Sequence, residues 1–482
     1  MHHPLAWFSA GLCAAMPGAL RRPVRGLLWE QTALGSLAIL NVTRFACGMN
    51  TDYRGRHVTI MGLGHFGGGA AAARWLARQG AMVTVTDLAD ENALADSLAL
   101  LADVPIAAMH LGGHREEDFQ GADLVVVNPA VRPNSPWLQV ARQSGARLRT
   151  EIELFIEACP AQIVGVTGSN GKSTTAAMIA SILRAAGHRA WLGGNIGGSL
   201  LEQLPEIGPG DWVVLEISSF QLWHFSPEAR MPRVAVVTGC TPNHLDWHET
   251  FDHYAAAKQR ILAGQTSDDI AVLNTHDPEA ASWPQLVRGR LIPLPPLEEL
   301  PPLSLPGEHN RVNAACATAA AMCAGCGRQA VQQGLQSFRG LPQRLQWLAA
   351  VEGRQICNDS TATTPESTIA ALRAMDLPVW LLAGGKNKGC HFDPLAAEIA
   401  RRTRGAAFFG ASREELRRCV AAQEPQLPCT AVETMEEALR WCWQRSRPGE
   451  AILLSPACAS TDQFRNFRHR GERFDELIAN TH

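Results

Sequence analysis

Short apolar runs, each closed by a turn and followed by a helix-like stretch, recur along this chain from about residue 55 onward. Such alternation leaves few options, because consecutive strands joined by helices pair in parallel and need helices on both faces of the sheet. Three groups can be traced. The first holds "HVTIMG", "MVTVTD" and "DLVVVN", with "AAAARWLARQG" as its first crossover helix. The second holds "IVGVTG", "WVVLEIS", "VAVVTGC" and "IAVLNT" and leaves through "LIPLPPLEELPPLSLPGEHN", whose prolines read as a loop or hairpin. The third begins near "GLPQR" and holds "RQICND", "VWLLAGG", "AAFFGA" and "AILLSP". A length of 482 residues suits three α/β domains.

Residues 1–48 differ in texture. "HPLAWFSAGLCAAMPGALRRPVR" is apolar before it is basic, the reverse of a secretory signal, and Pro17 interrupts it below membrane-spanning length. It reads as an extension outside the fold, with Met49 as a natural start. A net charge of −3 and no lysine-arginine block exclude a nucleic-acid partner of the phosphate-backbone type. The 13 cysteines are scattered, as reduced thiols in a cytoplasmic protein would be. Cys323 and Cys326, the one C-x-x-C, lie in an alanine-rich helical pattern and read as buried helix cysteines.

Ligands of open α/β sheets bind beyond the carboxyl ends of the strands, so chemistry is sought there. "GVTGSNGKSTT" (Gly165–Thr175) joins a strand to a helix through a glycine turn. Free N–H groups and the positive helix end then face one point, where an anion fits. Lys172 supplies a mobile cation for terminal phosphates and Ser173 a hydroxyl for Mg²⁺, in a variant of the phosphate-loop pattern. Glu216 ends one neighbouring strand and His244 follows another, which with Ser173 makes a Mg²⁺ site for MgATP. Two rival readings arise. "GLGHFG" (Gly62, Gly64, Gly67) with Asp87 has dinucleotide-fingerprint spacing and suggests an NAD-dependent oxidoreductase. "HLDWHE" sets His244 and His248 four apart, as a zinc pair would be, without the glutamate after the first histidine that a zincin uses.

The ordered set "VGVTGSNGKSTT", "GGNIG", "LEISSFQL", "NHLDWH", "YAAAK", "GEHNRVNAACA", "GLPQRLQ", "NDSTATTPEST", "LLAGGKNKG" and "SPACASTDQFRNFRHRGERF" resembles the Mur ligase family over residues 50–480. The resemblance implies an α/β chain of three domains. These are a Rossmann-like UDP-binding domain (49–155), a central P-loop ATPase-like domain with a mostly parallel sheet (156–340), and a C-terminal Rossmann-like domain for the amino acid (341–482). It implies ATP-dependent ligation of D-glutamate to UDP-N-acetylmuramoyl-L-alanine through an acyl phosphate, in peptidoglycan precursor synthesis, by a cytoplasmic monomer with small-molecule partners and no membrane insertion. "SSFQL" favours glutamate over other amino acids, and a Mur-type ligase for L-glutamate or another amino acid is the nearest alternative. The glycine turn of the first domain tells against a folate polyglutamylating ligase, and a non-catalytic nucleotide-binding regulator is the alternative from a different class.

Carried over by motif, Gly168, Asn170, Gly171, Lys172, Ser173 and Thr174 hold the ATP phosphates. His309, Asn310 and Asn313 lie on the adenine side, and Arg344 and Asp359 reach over from the third domain. Glu216 and His244 are implied Mg²⁺ ligands. Lys258 matches a lysine that the family carbamylates with CO₂ to hold a second Mg²⁺; its sequence context alone reads as a solvated helix lysine. Gly64, His65, Phe66 and Gly67 are expected near the UDP diphosphate, Asp87 and Leu88 near the uridine, and Asn195 at the muramoyl group. Thr363, Lys388, Ser460 and Phe467 match the glutamate contacts, and "GLPQR" is the implied hinge. Thr361 stands where the family carries lysine, and Asn128–Ala130 replaces its Ser-Pro-Gly.

Overall fold

The computed structural model describes residues 52–480 except His65, Phe66, Pro306, Ala349, Lys388 and Gly389. The expectations for residues 1–48, the start at Met49, and the roles of His65, Phe66 and Lys388 lie outside the described residues.

The first sheet contains β1 (His57–Met61), β2 (Met82–Asp87), β3 (Ala108–Leu111), β4 (Leu124–Val127) and β5 (Arg147–Arg149) in the order β3-β2-β1-β4-β5. The second contains β6 (Gln162–Thr167), β7 (Ala190–Gly194), β8 (Trp212–Glu216), β9 (Val234–Val237), β10 (Ile270–Leu273) and β11 (Arg290–Ile292), ordered β11-β10-β9-β6-β8-β7. All pairings in these two sheets are parallel. The third contains β12 (Gln346–Trp347), β13 (Gln355–Asn358), β14 (Val379–Gly384), β15 (Thr403–Phe409), β16 (Cys429–Ala431) and β17 (Ala451–Ala457), ordered β12-β13-β17-β14-β15-β16. Only the β12–β13 pair is antiparallel. Central strands such as "LVVV" of β4 and "VAVV" of β9 are buried along their whole length, as strands covered on both faces must be.

The proline-rich exit of the second group does not form a hairpin. Its first two residues, Leu291 and Ile292, end the parallel edge strand β11, and the prolines follow as a loop where no ladder N–H is needed. Cys323 and Cys326 are buried in the apolar layer of the second sheet, and burial pushes both thiols up to about 11. No described helix is long and apolar enough to cross a membrane.

Core continuity separates the third sheet from the other two. One apolar cluster runs from Val58 and Val85 of the first sheet through Ile152, Phe155 and Ile156 to Val213 and Val237 of the second. The helix Glu151–Ala158, which carries those bridging residues, spans the division expected at residues 155 and 156. The clusters of the third sheet contain only residues from Leu345 onward. Between them lies "GLPQR", with Gln343 (φ 59°) left-handed without being glycine, as is Leu345 (φ 41°) at the start of the third cluster.

A buried cation organises the loops at the carboxyl end of the third sheet. Arg470 is fully buried and donates to the Ser360 carbonyl (2.8 Å), Ser360 Oγ (3.1 Å) and the Cys458 carbonyl (3.1 Å). Ser360 follows β13 and Cys458 follows β17, so one guanidinium ties together two strand-end loops that the sequence implies for amino-acid binding. Burial lowers its pKa to about 10, which leaves it charged at neutral pH. Replacing it by Arg470→Met leaves two buried carbonyls without donors, each costing about 1–3 kcal/mol. Urea unfolding should show a loss of about 2–6 kcal/mol from the third domain.

Candidate active site

The phosphate loop leaves β6 at Gly168 (φ 153°) and enters the helix Lys172–Ala185 at Gly171 (φ 81°). Both positions require glycine. A Cβ on Gly168 would lie 2.0 Å from Thr238 Oγ1, and one on Gly171 would lie 2.2 Å from Asn313 Oδ1. Thr238 Oγ1, just past β9, donates to the Asn170 carbonyl at 2.5 Å and fixes the loop from below. Lys172 Nζ donates to the Ser169 carbonyl at 2.9 Å. Burial lowers its pKa; the Glu216 carboxylate opposes that shift and Arg344 adds to it.

Beside the loop lies an acidic corner. Glu216, at the end of β8, is buried; its Oε1 accepts from Asn195 Nδ2 at 2.9 Å, and the Asn195 backbone N–H donates to the Glu216 carbonyl. Its Oε2 has no hydrogen-bond donor among the described residues. His244 (φ 55°) precedes the short helix Leu245–His248, with its ring 4.7 Å from Phe220. His248 does not complete a zinc pair with it: its two ring nitrogens meet Ser219 Oγ (3.0 Å) and His253 Nδ1 (3.1 Å). Burial draws the His248 pKa to about 4, so the ring is neutral.

Lys258 is not the solvated helix lysine that its context suggests. It projects from the helix Phe251–Ala263 into the interior, is 1% exposed, and donates to the Gly168 carbonyl at 2.7 Å. Its ammonium sits 4.4 Å from the Tyr254 ring centroid. Burial first, then the charge of Lys172, drive its pKa well below the usual lysine value.

A cavity of about 920 Å³ opens between the phosphate loop and the third domain. Gly171, His309 and Asn313 line one wall, and Arg344, Asp359 and Thr361 the other. Arg344 Nη2 donates across the gap to Ser173 Oγ at 3.3 Å, and Ser367 Oγ to Asn170 Oδ1 at 3.3 Å. The Asp359 carboxylate accepts from Ser455 Oγ (2.8 Å) and the Leu345 N–H (3.0 Å), yet burial outweighs both and raises its pKa to about 6. Burial lowers the His309 pKa. Asn274, His276 and Asp277 also line the cavity. Sequence reasoning missed them, although "VLNTHD" follows β10 at the same sheet end and the strand-end rule reaches it.

The remaining expected residues fall at two other places. Thr363 and Ser460 lie on the loops that Arg470 ties, and Phe467 begins the helix Phe467–Ala479, its carbonyl accepting from Ser360 Oγ. In the first domain the Asp87 carboxylate is already engaged by the glycine turn. Oδ2 accepts from the N–H groups of Leu63 (2.8 Å) and Gly64 (3.2 Å), and Oδ1 from that of Ala89 (2.9 Å). Gly67 opens the helix Gly68–Arg78, and Leu88 beside Asp87 is 69% exposed, an apolar surface at a strand end.

Three family profiles match in order. That of the Mur ligase MurD-like N-terminal domain covers residues 56–149, that of the Mur ligase middle domain 166–293, and that of the Mur ligase glutamate ligase domain 343–458. The chain is 38% identical to the UDP-N-acetylmuramoylalanine--D-glutamate ligase of Roseiflexus sp. (strain RS-1), over 88% of this chain and 98% of that protein. The protein of the same name from Geobacter metallireducens is 37% identical, over 89% and 98%. The crystal structure of UDP-N-acetylmuramate-alanine ligase MurC from Thermotoga maritima superposes with a TM-score of 0.59 at 19% identity, covering 89% of this chain and all of that one. With its parallel sheets, its phosphate loop and these matches along most of its length, the chain belongs to the Mur ligase family.

Proposed function

We propose that this enzyme joins D-glutamate to UDP-N-acetylmuramoyl-L-alanine with ATP, forming ADP and phosphate, as a cytoplasmic step of peptidoglycan precursor synthesis. The relatives named for that reaction align along nearly their full length. The observation that carries the reading is the cavity between the phosphate loop and the third domain, bridged by Arg344 at Ser173. A ligase of this kind needs an activated acid and an amine brought together away from water, and a site divided between two separately cored units does that on closure.

A free carboxylate does not acylate an amine. Transfer of the γ-phosphoryl group to the muramoyl-alanine carboxylate gives an acyl phosphate, which the glutamate amine attacks with loss of phosphate. Lys172, aimed along the phosphate loop, and Arg344, from the third domain, offset charge on the transferring phosphoryl oxygens. His309, Asn310 and Asn313 lie at the base end of the cavity, and Asp359 closes it from the third domain. Gly64, Gly67, Asp87 and Leu88 form the uridine end, Asn195 contacts the muramoyl group, and Thr363, Lys388, Ser460 and Phe467 receive glutamate. All these positions lie on one chain, so a monomer suffices.

The Glu216 corner fits a divalent cation: a buried carboxylate oxygen without a donor is costly unless a cation or a proton meets it. Ser173, Glu216 and His244 would hold Mg²⁺, which shields phosphate charge from the incoming carboxylate. Lys258 is suited to carbamylation, because burial favours its neutral amine, the form that attacks CO₂, and the carbamate would serve a second ion.

The reading is tested by phosphate release over a panel of UDP-sugars and amino acids, including both glutamate enantiomers. Release should require ATP, UDP-N-acetylmuramoyl-L-alanine and D-glutamate together, and Lys172→Ala should reduce it by about 10²–10³ without unfolding the protein. ATP hydrolysis indifferent to both other substrates would overturn it. For Lys258→Ala, lost activity should return in part on adding a short carboxylic acid, measured as turnover against acid concentration. No rescue over a wide range would leave Lys258 a plain lysine.

Asp359 yields a pH prediction. Its pKa in the fold, about 6, is above the ordinary 3.8, so the folded protein retains a proton that the unfolded chain releases. The associated stabilisation is complete below about pH 4 and is lost as pH rises through about 6. Asp359→Asn should therefore be more stable than the parent at pH 7.5, by on the order of 1–3 kcal/mol, with the two converging toward pH 4. Its ligase activity should fall. Urea melts at both pH values, with parallel assays, check the pair of effects.

A further inference from the structure

Three consecutive residues of the first domain, Ala130, Val131 and Arg132, each make a hydrogen bond to the second. Trp247 Nε1 donates to the Ala130 carbonyl at 3.2 Å, His224 Nε2 to the Val131 carbonyl at 2.8 Å, and Arg132 Nη2 to the Asp246 carbonyl at 3.0 Å. Burial draws the His224 pKa to about 4, so the ring is neutral and its Nε2 carries the donated proton at working pH.

The segment is anchored at both ends. Upstream, the Asn128 N–H donates to the Met61 carbonyl and its Nδ2 to the Gly62 carbonyl (3.1 Å), which joins the segment to the glycine turn of the first sheet. The Ala130 N–H donates back to Asn128 Oδ1 (2.9 Å), so the segment is internally fixed as well. Downstream, the Trp247 ring meets Phe220 edge-on at 5.0 Å, and Phe220 meets His244 at 4.7 Å. A continuous line of contacts therefore runs from the glycine turn to the residue beside the Glu216 corner.

We propose that residues 128–132 form a strap that sets the distance between the uridine turn and the phosphoryl-transfer corner, with Trp247 and His224 as positioning residues. The inference rests on the proposed reading of the Gly64 turn as the UDP site. A substrate bound at one end by its nucleotide and at the other by its reacting carboxylate needs these two places held at one separation. Loosening the strap leaves each half-site intact and mismatches them. A loss confined to the spanning substrate is the signature, because a ligand that occupies one half alone does not sense the separation.

Trp247→Phe retains a ring and removes the donor, and Ala130 is exposed, so its carbonyl can take water instead. His224→Leu removes the second donor, and His224→Gln restores an N–H. The readouts are the Kd of UDP alone, the Kd of UDP-N-acetylmuramoyl-L-alanine, and kcat. Expected for Trp247→Phe and His224→Leu are an unchanged Kd for UDP, a three- to tenfold weaker Kd for the full substrate, and a lower kcat. His224→Gln should recover most of that loss. Arg132→Met, at an exposed position, should show the same split, and it decides the matter should either core variant fail to fold. Equal weakening of UDP and full substrate, or no weakening of the full substrate, would overturn the strap. A parent enzyme that binds neither ligand would instead defeat the functional reading.

Discussion

The phosphate loop can hold its place only because two side chains are missing. At Gly168 and Gly171 the backbone lies against Thr238 and Asn313 at separations that no Cβ allows. Those neighbours come from the end of β9 and from the helix Glu308–Cys323, so the loop is the point where three parts of the second domain meet. The Thr238 hydroxyl then bonds the Asn170 carbonyl, the Lys258 ammonium bonds the Gly168 carbonyl, and Tyr254 bonds Ser169 Oγ at 2.9 Å. With the carbonyls drawn back into the protein, the loop N–H groups are left for an anion. Lys172, Glu216 and the Arg344 bridge are placed relative to this frame.

Charge follows from the same packing. Lys172, Lys258 and Arg344 converge on a region where Glu216 is the nearby carboxylate, and burial lowers the pKa of both lysines. Cations enclosed without enough counter-charge destabilise a fold, and proteins keep such arrangements where a ligand completes them. A nucleotide triphosphate supplies the missing negative charge. For Lys258 burial, then the charge of Lys172, favours the neutral amine. The two lysines, on different helices of the second domain, have opposite uses in the proposed reaction: one is the cation for phosphate, while the other acts uncharged.

Much of this site was legible in the sequence because a parallel sheet delivers its strand ends to one edge. Reading the residues after each apolar run found Lys172, Ser173, Glu216, His244 and Asp359; the structure brings the first four to the carboxyl edge of the second sheet and Asp359 to that of the third, facing the phosphate loop across the cavity. Lys258 carries no such mark. It sits mid-helix, and only a resemblance distinguished it from a surface lysine; its burial depends on Tyr254 and Gly168, which no local pattern connects. The edge strands β3, β5, β7, β11, β12 and β16 were missed for a related reason. They span two to five residues, and sequences such as "RLR" or "QW" hold too few apolar positions to show a period. The strap between Ala130 and Trp247 is less legible still, since it joins backbone carbonyls of a loop to side chains over a hundred residues away.

The division of the hydrophobic core gives these parts their mechanical roles. Apolar contact is continuous from the first sheet to the second, so moving one against the other would expose the bridging residues of Glu151–Ala158. Each buried leucine, isoleucine or phenylalanine side chain contributes about 1.5–3 kcal/mol, which makes such exposure expensive. Among the described residues no cluster joins either sheet to the third, which meets the phosphate loop through the hydrogen bonds of Arg344 and Ser367. Those bonds are weak enough to exchange for ligand contacts. The left-handed Gln343 lies between the separate cores and the left-handed Leu345 at the edge of the third, and in the proposed reading a change in backbone angles there would carry Arg344 and Asp359 together. In the proposed reaction the joint before the third domain is the one that would bring the amine to the activated acid, while the first two domains share one core.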